Sequence, residues 1–248
     1  MTDRQSAASP PDGVDGRDRP DAKTRESTAD PDERSDSQAV YDRIATHFAQ
    51  TREYVWPEVE SFVDNEVDRR GELGRGLDLG CGNGRHTELL ADRGAPVVGL
   101  DVSRRLLTEA THRAADRAFD AAFVHGDAAR LPFDDSTFSH VVYIATIHHL
   151  RPRATRLASL AEIGRILTSD GRALVSAWST VHDRFDAEEG FDTTVDWTLP
   201  DGECVGRFYH IYDPDEFRRD LADAAAIRCL EYQISSGNCY AVIASAEP

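Results

Sequence analysis

Apolar residues recur along this chain first at helical and then at strand spacing. From Ser37 to Phe48, the apolar positions Val40, Ile44 and Phe48 fall four apart on one helical face. A second helix opens at Trp56-Pro57, where proline suits the first turn, and continues through Val59, Phe62, Val63 and Val67. From Arg75 the pattern alternates: strand 76–80, helix 84–93, strand 96–101, helix 103–116, strand 121–126, strand 138–145, helix 153–167 and strand 172–178. Strands alternating with helices predict an α/β fold, a mainly parallel sheet with helices on both faces. Residues 180–206 lack periodicity. Beyond them the pattern gives strand 206–212, helix 214–225 and strands 227–235 and 238–245, the last two joined by the turn Ser235-Ser236-Gly237-Asn238. That turn predicts a C-terminal antiparallel hairpin closing the sheet. The insertion at 180–206 falls on the side where ligands bind such sheets and reads as a substrate lid.

Composition changes the picture at the N-terminus. Residues 1–36 are Asp, Ser, Arg, Pro and Gly with almost no large apolar side chain, so they cannot offset the entropy of ordering. They read as a disordered acidic tail, with 37–248 as one domain. The tail carries net −4 of the chain's −17, leaving −13 for the domain. Lys23 is the only lysine, and Asp dominates the 45 acids that face 28 bases. This pattern resembles proteins of salt-saturated cytoplasm, where short acids keep the surface hydrated. At multimolar salt the screening length falls below ~3 Å, so the acidic balance does not exclude a nucleic-acid partner; recognition would rest on contact. Cys81, Cys204, Cys229 and Cys239 show no metal or redox spacing. No apolar run approaches the ~18 residues of a membrane span and no signal segment is visible, which predicts a cytoplasmic protein with no membrane partner.

The candidate chemistry lies at the strand ends. Gly80, Gly82 and Gly84 stand at alternate positions after a buried strand, where the backbone can turn tightly and approach a ligand. The dinucleotide fingerprint needs its last glycine at position 85, which is Arg85 here. Asp78, two residues ahead of Gly80, would repel a pyrophosphate but suit an ammonium or sulfonium group. Asp101 ends the next strand about 20 residues on, where an acid binds ribose hydroxyls. Asp127 ends the third and could accept from the exocyclic amine of adenine.

Asp78-x-Gly80-x-Gly82-x-Gly84, Asp101 and Asp127-Ala128, in that order, resemble the class I S-adenosylmethionine-dependent methyltransferases over about residues 71–180. The resemblance implies a Rossmann-like, seven-stranded, mainly parallel sheet with S-adenosylmethionine at its strand ends. Asp78 would sit under the methionine amino group, Gly80 and Gly82 would admit the cofactor, Asp101 would take the ribose, and Asp127 with Ala128 the adenine. Tyr41 is either a cover over the cofactor or an ordinary core aromatic.

Three further segments are similar to the tRNA wobble-uridine methyltransferases that esterify 5-carboxymethyluridine: Tyr41 to Arg52 with Trp56-Pro57; Ile144-Ala145-Thr146-Ile147-His148-His149-Leu150; and Gly206 to Tyr212 with Gly237-Asn238-Cys239-Tyr240. A carboxylate acceptor with a pKa near ~4 is already ionised and needs no general base, only a cation and hydrogen-bond donors. Candidates are Arg52, Arg207, His148, Tyr209 and His210. Tyr209 and His210 point to opposite faces of a strand, and Arg52 could instead clamp the cofactor's carboxylate. His149 is either a second site residue or a surface or capping histidine. Arg151, Arg153, Arg156 and Arg165 could fork onto a tRNA anticodon loop or form a solvated helix face paired to acids. The resemblance also implies a small zinc-binding activator subunit. The chain departs from the family between Ser179 and Arg207 and at Cys239, where a bulkier aromatic is expected. Two other readings stay open: a methyltransferase of quinone-type or other small metabolites, which shares the His148-His149 segment, and a non-catalytic cofactor-binding subunit.

Overall fold

The computed structural model describes residues 37–246; the tail expected at 1–36 lies outside the described residues. Two helices, α1 (Ser37–Thr51) and α2 (Pro57–Arg70), precede β1 (Gly76–Leu79), α3 (Arg85–Asp92), β2 (Val97–Asp101), α4 (Arg104–Arg117), β3 (Ala122–His125) and β4 (Phe138–Tyr143). A 3-10 turn at Ile147–His149 leads into α5 (Arg153–Ile166) and β5 (Leu167–Trp178). There follow β6 (Phe191–Thr198), β7 (Cys204–Ile211), α6 (Pro214–Asp223), β8 (Ile227–Ser235) and β9 (Asn238–Ser245).

Seven strands form one sheet in the order β3-β2-β1-β4-β5-β9-β8. The first five run parallel, and β9 lies antiparallel between β5 and β8, so the expected mainly parallel sheet with a terminal hairpin is the fold. β1, β2 and β4 are buried along their whole length, as strands covered by helices on both faces are. Phe138, Leu160, Ile163 and Phe217 pack on one face of the sheet, and Val59, Phe62, Leu90 and Val142 on the other.

The insertion differs from the expectation. Part of the stretch expected to lack periodicity is strand: β6 pairs antiparallel with β7 in a separate two-stranded sheet, with Trp197 opposite Val205 and Asp192 opposite His210. Thr193, Val195 and Trp197 are buried while Asp192 and Thr198 are exposed, an alternation with threonine in an apolar slot. The strand predicted at 206–212 therefore belongs to this hairpin and not to the main sheet. It is fastened there by one bridge between Ser179 and Tyr212.

The hairpin supports α1. Ile44, Trp197 and Val205 are buried together, with Val40, Tyr41 and Phe48 against them, and Trp197 Nε1 donates to His47 Nδ1 at 3.0 Å. On its other side α1 is tied to α4, because Asp42 accepts from Ser103 Oγ at 2.7 Å and from the Arg105 amide at 3.0 Å. A roof helix thus spans the carboxyl ends of the parallel strands.

The net charge of −17 has a measurable consequence. Self-repulsion of the folded state is screened by salt, so thermal midpoints should rise by on the order of 10 °C between 0.2 M and about 2 M potassium chloride. A melting temperature flat across that range would remove the salt-adapted reading.

Candidate active site

A cavity of about 420 Å³ opens between the ends of β1, β2 and β4 and the underside of α1. Its first half is the glycine turn. The Gly80 and Cys81 amides both donate to Leu100 O, at 2.7 and 3.0 Å, fixing the turn to β2. Gly80 and Gly82 hold φ of +72° and +55°, and a Cβ on Gly80 would overlap Thr146. Asp101 accepts from the Gly82 amide through Oδ2 and from the Ser103 amide through Oδ1, both at 2.8 Å. Each oxygen keeps a lone pair for a hydroxyl from the cavity. Burial raises the Asp101 pKa, and the backbone donors work against that shift. Asp127 is exposed at the next strand end, and Ala128 is buried beside it; both line the cavity, as do Tyr41, Gly80, Gly82 and Asp101. A backbone that no Cβ can fill, beside an oriented carboxylate, fits a nucleoside cofactor.

Asp78 is the cofactor candidate that does not line the cavity. It is buried behind the glycine turn, its Oδ2 accepting from Thr87 Oγ1 at 2.7 Å. Burial pushes its pKa up to about 7, opposed by the Thr87 bond and by Arg85.

The second half holds His148, Arg207, Tyr209 and Arg52, all on the same cavity. The Trp178 amide donates to His148 Nδ1 at 3.1 Å, which leaves the proton of this buried ring on Nε2. His149 is set the other way: Nδ1–H donates to Phe208 O at 2.8 Å, so Nε2 accepts from the Tyr41 hydroxyl at 2.8 Å. Burial pushes His148 well below its usual range, with His149, Arg207 and His210 adding to the effect, and pushes His149 down to about 3. Both rings are therefore neutral at physiological pH. Tyr209 packs 4.8 Å from the His148 ring and 4.8 Å from Trp178. Two guanidinium groups lie against the Trp197 indole, Arg207 at 4.7 Å and Arg52 at 5.2 Å from its ring centre. Arg207 is itself buried, a cation delivered to the cavity by the hairpin.

Strand alternation separates the remaining candidates. Arg207 and Tyr209 share one face of β7; His210 faces away and bonds Asp192 and Glu216, so it is not in the cavity. Tyr41 is a roof residue, bonded to His149 and lining the cavity. Of the arginines considered for RNA contact, Arg153 pairs Asp220 and Asp223, Arg156 is buried near Glu216 and Asp220, and Arg165 pairs Glu162 and Asp135. These are internal ties. Arg151 lines the cavity, over the Phe208 ring at 4.5 Å.

Several wall residues carried no signal that sequence reasoning used. Arg85, half-buried and with its pKa held down to about 10 chiefly by desolvation, stacks over Trp56, and both line the cavity. Trp178 enters from the end of β5, and Trp197 supports the two arginines from behind. The period-2 pattern Thr193, Val195, Trp197 could have revealed the last.

The methyltransferase-domain family profile matches residues 77–175. An Encephalitozoon cuniculi chain bearing a provisional methyltransferase name is 30% identical over 209 residues, covering 82% of this chain and 92% of its own. The tRNA (carboxymethyluridine(34)-5-O)-methyltransferase of Schizosaccharomyces pombe is 27% identical over 229 residues, covering 82% of this chain and 93% of that one. Among solved structures, the CcbJ methyltransferase from Streptomyces caelestis superposes with a TM-score of 0.70 at 17% identity, over 85% of this chain and 99% of that one, which shows the shared fold.

Proposed function

We propose that this chain, which belongs to the S-adenosylmethionine-dependent methyltransferases, transfers its methyl group to the carboxylate of a 5-carboxymethyl-type uridine at the tRNA wobble position. S-adenosylmethionine is the family's cofactor, and when bound it supplies an electrophilic methyl on a sulfonium. Gly80, Gly82 and Asp101 would hold its nucleoside end, with Asp127 and Ala128 toward the base.

The observation that carries the substrate reading is the protonation state of the second half of the cavity. A hydroxyl acceptor needs a base poised near pH 7 to take its proton. His148 and His149 are held neutral far below that range, so they are weak bases, whereas Arg207, the His148 Nε2–H and the Tyr209 hydroxyl are donors. Donors without a base suit an acceptor that is already an anion, and holding it in line with the methyl is the remaining work of the protein. Arg207 would face the carboxylate while its charge is shared with the Trp197 and Tyr209 rings. Arg151, stacked on Phe208, offers a guanidinium to the polynucleotide. The name of the Schizosaccharomyces pombe relative supports the same substrate.

The test is transfer of labelled methyl at high potassium chloride to tRNA with and without carboxymethyluridine, beside a metabolite extract, followed by nucleoside mass analysis. A base-labile methyl ester on the wobble uridine is expected; label confined to the metabolite fraction would remove the tRNA reading. The activator subunit is part of the proposal. The described residues contain no cluster of His, Cys, Asp and Glu fit to hold a metal, so its zinc would be its own. Full activity from the chain alone, purified as a monomer, would dispose of that partner.

A further inference from the structure

We infer that His210, held between Asp192 and Glu216 on the side of β7 away from the cavity, is a positioning residue that fixes the hairpin strand presenting Arg207 and Tyr209. The inference rests on the reading of those two residues as the acceptor-binding pair.

Both ring nitrogens of His210 meet carboxylate oxygens: Nδ1 lies 2.7 Å from Asp192 Oδ1 and Nε2 lies 2.8 Å from Glu216 Oε1. A neutral imidazole has one N–H and could satisfy only one of them. Two carboxylates at hydrogen-bond distance require both nitrogens to donate, so the ring is an imidazolium bridging β6, β7 and the first turn of α6. The ring is buried, whereas Asp192 is largely exposed. Gly190 makes room for the arrangement, since a Cβ there would overlap the Glu216 carboxylate.

The groups facing His210 come from every element around it. They are Asp192 on β6, Tyr212 with its ring edge-on at 4.6 Å, Glu216 and Asp220 on α6, and Arg156 on α5, 3.6 Å from the same Glu216 oxygen. Arg151 adds a weaker field at Asp192. Burial and Arg156 lower the affinity of His210 for its proton, and the two carboxylates more than reverse that, so its pKa is raised. The sign follows: the bridge is complete below the ordinary histidine range and is lost as pH rises through the raised value. Above it, one ring nitrogen presents a lone pair to a carboxylate, and either β6 or α6 must let go. The imidazolium also acts across the strand, since its charge helps keep His148 neutral.

The experiment has two arms. On the cofactor-bound protein, nitrogen-15 resonances of His210 and hydrogen exchange of the β6 and β7 amides are followed from pH 6 to 9. In parallel, KM for the acceptor, kcat and cofactor Kd are measured for wild type, Asp192→Asn and His210→Gln. Both nitrogens should be protonated at pH 6, and β7 exchange should quicken as the ring titrates. Acceptor KM should rise on the order of tenfold over the same interval with kcat and cofactor Kd within about twofold. Asp192→Asn should shift both curves to lower pH, and His210→Gln should give the raised KM at every pH. A singly protonated His210 at pH 6, or Asp192→Asn curves superposing on wild type, overturns the proposal. Should His210→Gln fail to fold, the exposed Asp192→Asn carries the test. The magnetic resonance arm needs no acceptor, so a mistaken substrate would leave it intact.

Discussion

Replacing Arg207 with methionine should lower kcat/KM for the RNA acceptor by about 10²- to 10³-fold while leaving cofactor affinity within about threefold. The guanidinium is buried in the middle of β7, 4.7 Å from the Trp197 ring centre and 5.3 Å from that of Tyr209, so little water competes for it. A carboxylate brought to such a site gains a charge-assisted bond in a weakly screened environment, and its removal leaves the acceptor's charge with two neutral donors, His148 and Tyr209. Methionine is the informative substitution, because exchange of a buried cation for an apolar chain of similar length costs the fold little. Lysine restores the charge but not the flat face lying on the Trp197 indole, so Arg207→Lys should recover only part of the loss. Kinetics at saturating cofactor, with a cofactor titration by calorimetry, separate the two quantities. A loss shared equally between cofactor Kd and acceptor KM would place Arg207 on the cofactor instead. The same pair of measurements on Arg52→Met decides between its two roles, since Arg52 also lies over the Trp197 ring and over Phe48.

The parts of this site that could be read from sequence are those where one residue type answers one local demand. Gly80 and Gly82 stand where positive φ is required, and Asp101 ends a wholly buried strand, so both stand out against an apolar background. Arg207 and Tyr209 were legible by alternation, and the same alternation separates them from His210. What escaped was what depends on tertiary partners. β6 carries two aspartates and three threonines among its apolar residues, and its burial comes from α1 across the hairpin, which no local window contains. His149 was ambiguous because its two bonds go to residues 108 and 59 positions away, the Tyr41 hydroxyl and the Phe208 carbonyl. Arg153 and Arg156 read as available to RNA because their acidic partners lie on α6, some 60 to 70 residues further along.

Asp101→Ala should weaken cofactor binding by about 10²-fold, and more than any other single change in the first half of the cavity. The carboxylate has two tasks: it meets the cavity, and it holds the Gly82 amide on one oxygen and the Ser103 amide on the other. Removing it leaves two buried donors unpaired at the turn that must cradle the cofactor, so the loss includes distortion of the cradle as well as missing contacts. Asp101→Asn keeps one acceptor oxygen and should lose less, with thermal stability close to wild type. Asp78 should behave differently, because it stands behind the turn. Its pKa near 7 lies above the ordinary carboxylate value, so the folded protein without cofactor binds more protons than the unfolded chain between pH 4 and 7. Its contribution to stability is therefore complete at low pH and is lost as pH rises through 7. If an ammonium group settles near it, the carboxylate is favoured, its proton is released and cofactor affinity climbs with pH across that same window. Calorimetry at pH 6.5 in two buffers of different ionisation enthalpy should register a fraction of a proton released, and Asp78→Asn should abolish both the release and the slope. A pH-independent affinity in wild type would mean that Asp78 serves the glycine turn through Thr87 alone, and the first-half prediction would then rest on Asp101.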